Sequence, residues 1–249
     1  MHMLSLMIVV DNIAKKPFKS EWGFSAFMDW IDDTTHTEIK ALMDVGPSFS
    51  TLMHNANLLD LDLKSINFVF ISHSHFDHTG ALPDLLELSK SIEIVVIPSS
   101  YKLSSHISSI TVKSYDTFSH IKGPFYSSGT LDGWTKEQSL VVLTECGPFV
   151  VTGCSHPDVK NIVYTVYNVI KRPITLVIGG FHRSTYSEGK KIAEALKSVG
   201  VKYIIPCHCT GNSAKRGIFD NVENYFDCMV GLNIICKNGE IHISYKGVS

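Results

Sequence analysis

The stretch Ser72-His73-Ser74-His75-Phe76-Asp77-His78 packs three imidazoles and a carboxylate into seven residues. Neutral imidazole and carboxylate are ligands for zinc and its borderline neighbours. In extended backbone, residues i and i+2 point the same way, so His73 and His75 can hold one ion. Asp77 and His78 come one turn later, where Thr79-Gly80-Ala81-Leu82 reads as a helix start. They reach a second spot close by. An H-x-H-x-D-H element directly after a strand is rare by chance, which disfavours four solvated loop residues.

Three more histidines stand in the same kind of place. The apolar run 66–71 leads into His73. Phe149-Val150-Val151-Thr152 leads into Gly153-Cys154-Ser155-His156. Ile174-Thr175-Leu176-Val177-Ile178 leads into Gly179-Gly180-Phe181-His182. Lys202-Tyr203-Ile204-Ile205 leads into Pro206-Cys207-His208. Short apolar runs bounded by turn residues read as buried strands. Ligands of open α/β sheets gather beyond strand ends. Six of the twelve histidines sit in these four places, which predicts one shared metal site.

The signature Ser72 to Gly80 resembles that of the metallo-β-lactamase superfamily. Asp44, in Met43-Asp44-Val45-Gly46, resembles its upstream aspartate, and His156 and His208 match its two later histidine motifs. The resemblance runs from about Leu4 to about Ile243. It implies an α/β fold, a four-layer αβ/βα sandwich with the metals at one edge of the two sheets. It also implies two divalent ions, zinc by default, with manganese, iron or magnesium as alternatives. His73, His75 and His156 would hold the first; Asp77, His78 and His208 the second. Asp77 would also accept the proton of bound water. The superfamily usually adds a bridging carboxylate after the strand that here ends in Gly179-Gly180. His182 is the nearest metal-type side chain, either a ligand or, preferably, a catalytic group facing the substrate as proton donor or phosphate contact.

A narrower resemblance rests on Val10-Asp11-Asn12, Glu21-Trp22-Gly23-Phe24-Ser25, Glu137-Gln138-Ser139-Leu140, Gly153 to His156, Gly179 to His182, and Pro206-Cys207-His208-Cys209-Thr210-Gly211. These resemble the branch known for 7,8-dihydropterin-6-methyl-4-(β-D-ribofuranosyl)aminobenzene-5'-phosphate synthase of the methanopterin pathway. There a dihydropterin methyl diphosphate is joined to an arylamine bearing a ribose phosphate. Trp22 stands where those relatives usually carry histidine, and the segment 99–139 is short.

The elements needed to position these residues alternate, as layered α/β packing requires. Strands are expected near 3–11, 24–31, 37–44, 66–71 and 92–97, with a helix near 79–90. A second half holds strands near 139–146, 148–152, 174–178, 202–205 and 241–245, with helices near 158–171 and 186–198. The Ser-rich stretch 99–139 reads as an irregular connection between halves of a single domain 1–249, and as a lid. His2, His36, His54, His106, His120 and His242 follow no strand into a glycine turn and read as surface residues.

With 44% hydrophobic residues among 249, the chain can bury a sizeable core. A net charge of −2 gives no electrostatic footprint for nucleic acid. Met3 to Val10 lacks a basic flank and cleavage site and reads as a first strand, not a signal peptide. No apolar run has the length of a membrane span. The six cysteines form no C-x-x-C pair and read as free thiols of a cytoplasmic enzyme. Strand alternation predicts that Cys207 and Cys209 both point away from the face His208 uses; Cys154 is open between packing and ligation. The partner expected is a small anionic substrate, with Gly211-Asn212-Ser213 as a helix start and Lys215 and Arg216 nearby. Three functions remain: a diphosphate-releasing pterin-type transferase, a hydrolase of a phosphoester, thioester or lactone, and, least favoured, a non-enzymatic metal-binding or redox module.

Overall fold

The structure, a computed structural model, describes residues 2–101 and 110–247; His106 lies outside them. The first sheet takes β1 (His2–Val10), β2 (Ser25–Asp32), β3 (Thr37–Met43), β4 (Phe68–Phe70), β5 (Ile94–Val96) and β6 (Thr111–Lys113). The second takes β7 (Ser119–Lys122), β8 (Phe125–Ser127), β9 (Leu140–Thr144), β10 (Gly147–Thr152), β11 (Leu176–Gly180), β12 (Tyr203–Cys207) and β13 (Asn224–Tyr225). The chain then returns to the first sheet with β14 (Leu232–Lys237) and β15 (Glu240–Tyr245). The orders are β15-β14-β1-β2-β3-β4-β5-β6 and β13-β12-β11-β10-β9-β8-β7.

β1 has neighbours on both sides and a sheet packed on its face, so its second half, Leu6 to Val10, is buried throughout. That explains its near-continuous apolar run. β3 to β6 run parallel, as do β10 to β13. Leu6, Met28 and Phe68 of one sheet share a core with Phe125, Phe149 and Ile178 of the other. The helices α1 (Phe49–Leu58), α2 (Phe76–Thr79) and α3 (Leu82–Leu88) fall in the first half. Leu52, Leu82 and Leu85 cover the outer face of the first sheet. The helices α4 (Val159–Ile170), α5 (Tyr186–Ser198) and α6 (Asn212–Phe219) cover the second, through Ile162, Ile192 and Ile218. The order is helix, sheet, sheet, helix, the layered α/β fold expected.

Three features differ from the sequence expectations. The stretch 99–139 is not irregular throughout: β6, β7 and β8 extend both sheets. Their short runs, interrupted by Gly123-Pro124, leave no alternation long enough to read. α1 and β14 were also unexpected; α1 lacks charged residues to mark a polar face, and Asn233 interrupts the apolar run of β14. Finally, Cys146 and Cys236 form a disulfide, against the expectation of six free thiols. The β9–β10 turn lies over β14 there, a contact between residues 90 apart that spacing cannot reveal.

Candidate metal centre

Four strand ends meet at one edge. β10, β11 and β12 lie side by side and deliver His156, His182 and His208, while β4 delivers His73 from the facing sheet. The sheets are stitched by Gln138, whose N–H donates to Ser72 O (3.0 Å) and whose side-chain amide donates to Ile71 O (2.8 Å). The chain turns sharply past each strand. His182 and His208 both take left-handed backbone, with φ of 44° and 42°. Strained conformers of this kind cluster where side chains must be aimed.

The inner faces converge. His73 Nε2 lies 3.1 Å from His75 Nδ1, and potential ligand atoms of His73, His75 and His156 fall within 4.8 Å of one another. His208 Nε2 lies 3.1 Å from Asp77 Oδ2, and His78 Nε2 lies 3.8 Å from the same oxygen. The six residues of the H-x-H-x-D-H, His156 and His208 motifs therefore come together at one edge, with His73 close to His78 as well as to His75 and His156.

The outer faces explain the aim. Ser72 Oγ donates to Asp44 Oδ2 (2.7 Å), so it accepts from His73 Nδ1 (2.9 Å). His78 Nδ1 donates to Asp44 Oδ2 (2.7 Å) and His156 Nδ1 to Glu137 Oε2 (2.8 Å). His208 Nδ1 donates to Asn12 Oδ1 (2.9 Å), and Asp11 accepts the His208 backbone N–H (2.9 Å). Four imidazoles are thus held in the tautomer that leaves Nε2 as an inward lone pair. Metal-binding histidines are oriented this way. His156 Nε2 is buried with no hydrogen-bond partner. A divalent cation fits this donor set.

Electrostatics agree. Burial pushes His73 and His78 down to about 3, so both rings are neutral at physiological pH. Burial would raise Asp77, but His208, whose Nε2 lies 3.1 Å from its Oδ2, and the nearby imidazoles hold it well below the usual carboxylate range. Burial likewise opposes Glu137, whose bonds from His156 and attraction to His73 win and keep it ionised. Burial pushes Asp44 up to about 7 against the pull of His73 and Ser72.

Sequence reasoning missed these supports. Glu137, Asp11 and Asn12 sat in quoted motifs without a role; the available signal was an acid bordering an apolar strand. It also misplaced Cys209. Cys207 does turn into the core, as alternation requires. The strand ends there, and the left-handed turn at His208 swings Cys209 back to the centre, beside His182 and Cys154. Cys154 Sγ lies 3.2 Å from His78 Nε2. The hydrogen bond with Cys154 holds the Cys209 thiol well below its ordinary value, and a separate hydrogen bond between Cys209 and His182 raises His182. His182 stands within 4.8 Å of Cys154 and His156 by potential ligand atoms. His2, His36, His54, His120 and His242 are exposed or half-buried, as expected.

Exposed aromatic rings rim the centre. Trp22 meets His208 edge-on at 5.1 Å; Trp134 meets His182 at 4.9 Å and His156 at 5.4 Å. The two indoles are 64% and 74% exposed, and Phe76 is 71% exposed. The Trp134 segment comes from the stretch expected as a lid, and Thr135 Oγ1 reaches within 3.4 Å of His75 Nε2. Arg216 is paired with Asp220 (2.9 Å). Lys215 lines a cavity of about 540 Å³ with Asn212 and Tyr245, but none of the six candidate ligands lines it.

Two back-to-back sheets with outer helices and a histidine-rich centre at the strand ends define the metallo-β-lactamase fold. Residues 34–158 match the Metallo-beta-lactamase superfamily, and the chain belongs to it. It is 26% identical, over 85% of its length and 88% of the relative's, to 7,8-dihydropterin-6-methyl-4-(beta-D-ribofuranosyl)-aminobenzene-5'-phosphate synthase of Methanocaldococcus jannaschii. Among solved structures it is similar to Tm1679, a metal-dependent hydrolase of the beta-lactamase superfamily: 27% identity, TM-score 0.75, covering 92% of this chain and 98% of that one. The metallo-beta-lactamase fold protein YhfI from Bacillus subtilis shares the fold at 12% identity and TM-score 0.62, covering 95% of this chain and all of YhfI. Among the described residues, no helix is long and apolar enough to cross a membrane.

Proposed function

We propose that this chain is a metal-dependent enzyme acting on a phosphorylated small metabolite, and that its reaction is the condensation of a dihydropterin methyl diphosphate with an arylamine. In that reaction the amine nitrogen bonds to the methylene carbon, the carbon–oxygen bond to diphosphate breaks, and the amine loses a proton. The observation that carries this reading is the pair of exposed indoles, Trp22 and Trp134, on opposite histidines of the centre. Flat rings stack on such faces. A planar pterin gripped at the rim would bring its diphosphate to the centre. The M. jannaschii relative supports the same substrate class.

His73, His75 and His156 would hold one cation, and Asp77, His78 and His208 the other, zinc being the default. Such ions would neutralise a leaving diphosphate and would lower the pKa of water. Asp77 holds negative charge at the second set and accepts a proton there. His182, beside Trp134, contacts the phosphate or supplies a proton. Hydrolysis of a phosphoester, thioester or lactone is the second reading, favoured by the likeness to Tm1679.

Incubating metal-loaded protein with the dihydropterin diphosphate, with and without the arylamine phosphate, separates the two. Condensation predicts a coupled product by mass spectrometry, with diphosphate released only when both are present. Trp134→Ala should then raise KM for the pterin about 3–10-fold, the loss of roughly one ring contact. Diphosphate release without acceptor favours hydrolysis; no turnover of either kind refutes the condensation.

A further inference from the structure

The geometry points to the Cys154 thiolate as a ligand shared between the two cation positions, a proposal that rests on the dinuclear reading above. Cys154 is 3% exposed. Its Sγ groups with potential ligand atoms of His73 and His78, of His156 and His182, and of His208 and Cys209, each set within 4.8 Å. Those partners span both sets: His73 and His156 belong to the first, His78 and His208 to the second. One sulfur therefore stands between them.

The backbone that carries this sulfur is fixed. Cys154 N–H donates to Glu137 Oε1 (2.9 Å), and its neighbours Gly153 and Ser155 donate to the same oxygen. β11 offers no competing side chain. A Cβ on Gly180 would stand 2.6 Å from Cys209 Sγ and 3.3 Å from Cys154 Cα. Cys209 fills that space. Asp44 and Glu137 bind the backs of the rings, so neither carboxylate faces the gap that Cys154 occupies.

Binding requires that the thiol release its proton to solvent, as metal ligation by cysteine does. A shared thiolate among imidazoles favours zinc, cobalt or iron over magnesium, because soft sulfur discriminates against hard cations.

Cobalt(II) titration of the metal-free full chain tests this without substrate. Sulfur bound to cobalt gives a near-ultraviolet charge-transfer band. The wild-type band should grow with both the first and the second equivalent. Cys154→Ser should abolish it in both steps, while Cys209→Ser keeps it. Cys154→Asp, which supplies a carboxylate instead, should bind two cobalt ions without the band and serves if the serine variant fails to fold. A band that survives Cys154→Ser or Cys154→Asp, that grows with only one equivalent, or that Cys209→Ser also removes, overturns the assignment. Uptake of two ions without any band overturns this proposal alone; no uptake overturns the dinuclear reading as well.

Discussion

Glu137→Gln is the substitution that most directly probes how the centre is held. Glu137 is fully buried and accepts from six donors. Oε1 takes the Thr152 hydroxyl and the N–H groups of Gly153, Cys154 and Ser155. Oε2 takes the His156 N–H and Nδ1–H. Glutamine preserves shape and one acceptor. With its oxygen on the four-donor side, its NH2 faces the two His156 donors, and the opposite orientation strands four. Two charge-assisted hydrogen bonds are lost in the better case, each worth about 1.5–3 kcal/mol. The expected loss is therefore about 3–6 kcal/mol, against a total stability of roughly 5–15 kcal/mol. At about 2–4 °C per kcal/mol for a chain of this size, the melting temperature should fall on the order of 10 °C. His156 also loses the partner that fixes its tautomer, which should weaken cation binding about 10–100-fold. Calorimetry of the metal-free protein and competition with a chromophoric chelator measure the two effects. A melting temperature within about 2 °C of wild type, with unchanged cation affinity, would refute the reasoning.

Asp77→Asn keeps shape but removes charge from a half-buried side chain; turnover should fall about 10²–10⁴-fold while the circular dichroism spectrum is unchanged, and a near-normal rate contradicts its role. His182→Ala should lower turnover yet leave metal stoichiometry and melting temperature intact; metal loss as large as that of His208→Ala would make it a ligand. For metal-free protein, His73 and His78 are held near 3 when folded, so their contribution is present above about 6.5 and is lost as pH falls below it. Asp44, held near 7, works the other way and gains as pH falls from there to about 3.8. Two rings lost against one carboxyl gained leaves a net loss of stability as pH falls from about 6.5 to about 4.5. Denaturant titrations at intervals across that range should show it, and stability that is flat or rises on acidification would count against the buried neutral rings.

The ligand candidates were legible because histidine at the mouth of an apolar run is an unusual choice for a strand end. The supporting partners were not. Glu137, Asp11 and Asn12 act through backbone N–H groups and ring Nδ1 atoms contributed by distant residues. Asp11 and His208 are 197 positions apart, and only the fold joins them. The sheets were legible where strands carry an unbroken apolar run, which Asn233 denies to β14. β6, β7 and β8 were not, since three or four residues cannot display a period. Trp22 read as a departure from histidine; in the structure it packs on His208 as an exposed ring, a role that composition at one position cannot distinguish.

Cys209 shows where sequence periodicity stops being an argument. Alternation is a property of extended backbone, and it correctly sends Cys207 into the core. One residue later the φ of His208 is 42°, and the rule no longer applies. The same is true of His182 and Ser155, whose φ values are 44° and 61°. These turns are what lets residues that would face opposite sides of a sheet converge on one centre. The strand that predicts where a side chain points therefore ends where the chemistry begins. A thiol two residues from a candidate ligand in such a turn deserves to be weighed as a ligand itself, because the geometry that brings the histidine inward can carry the sulfur with it.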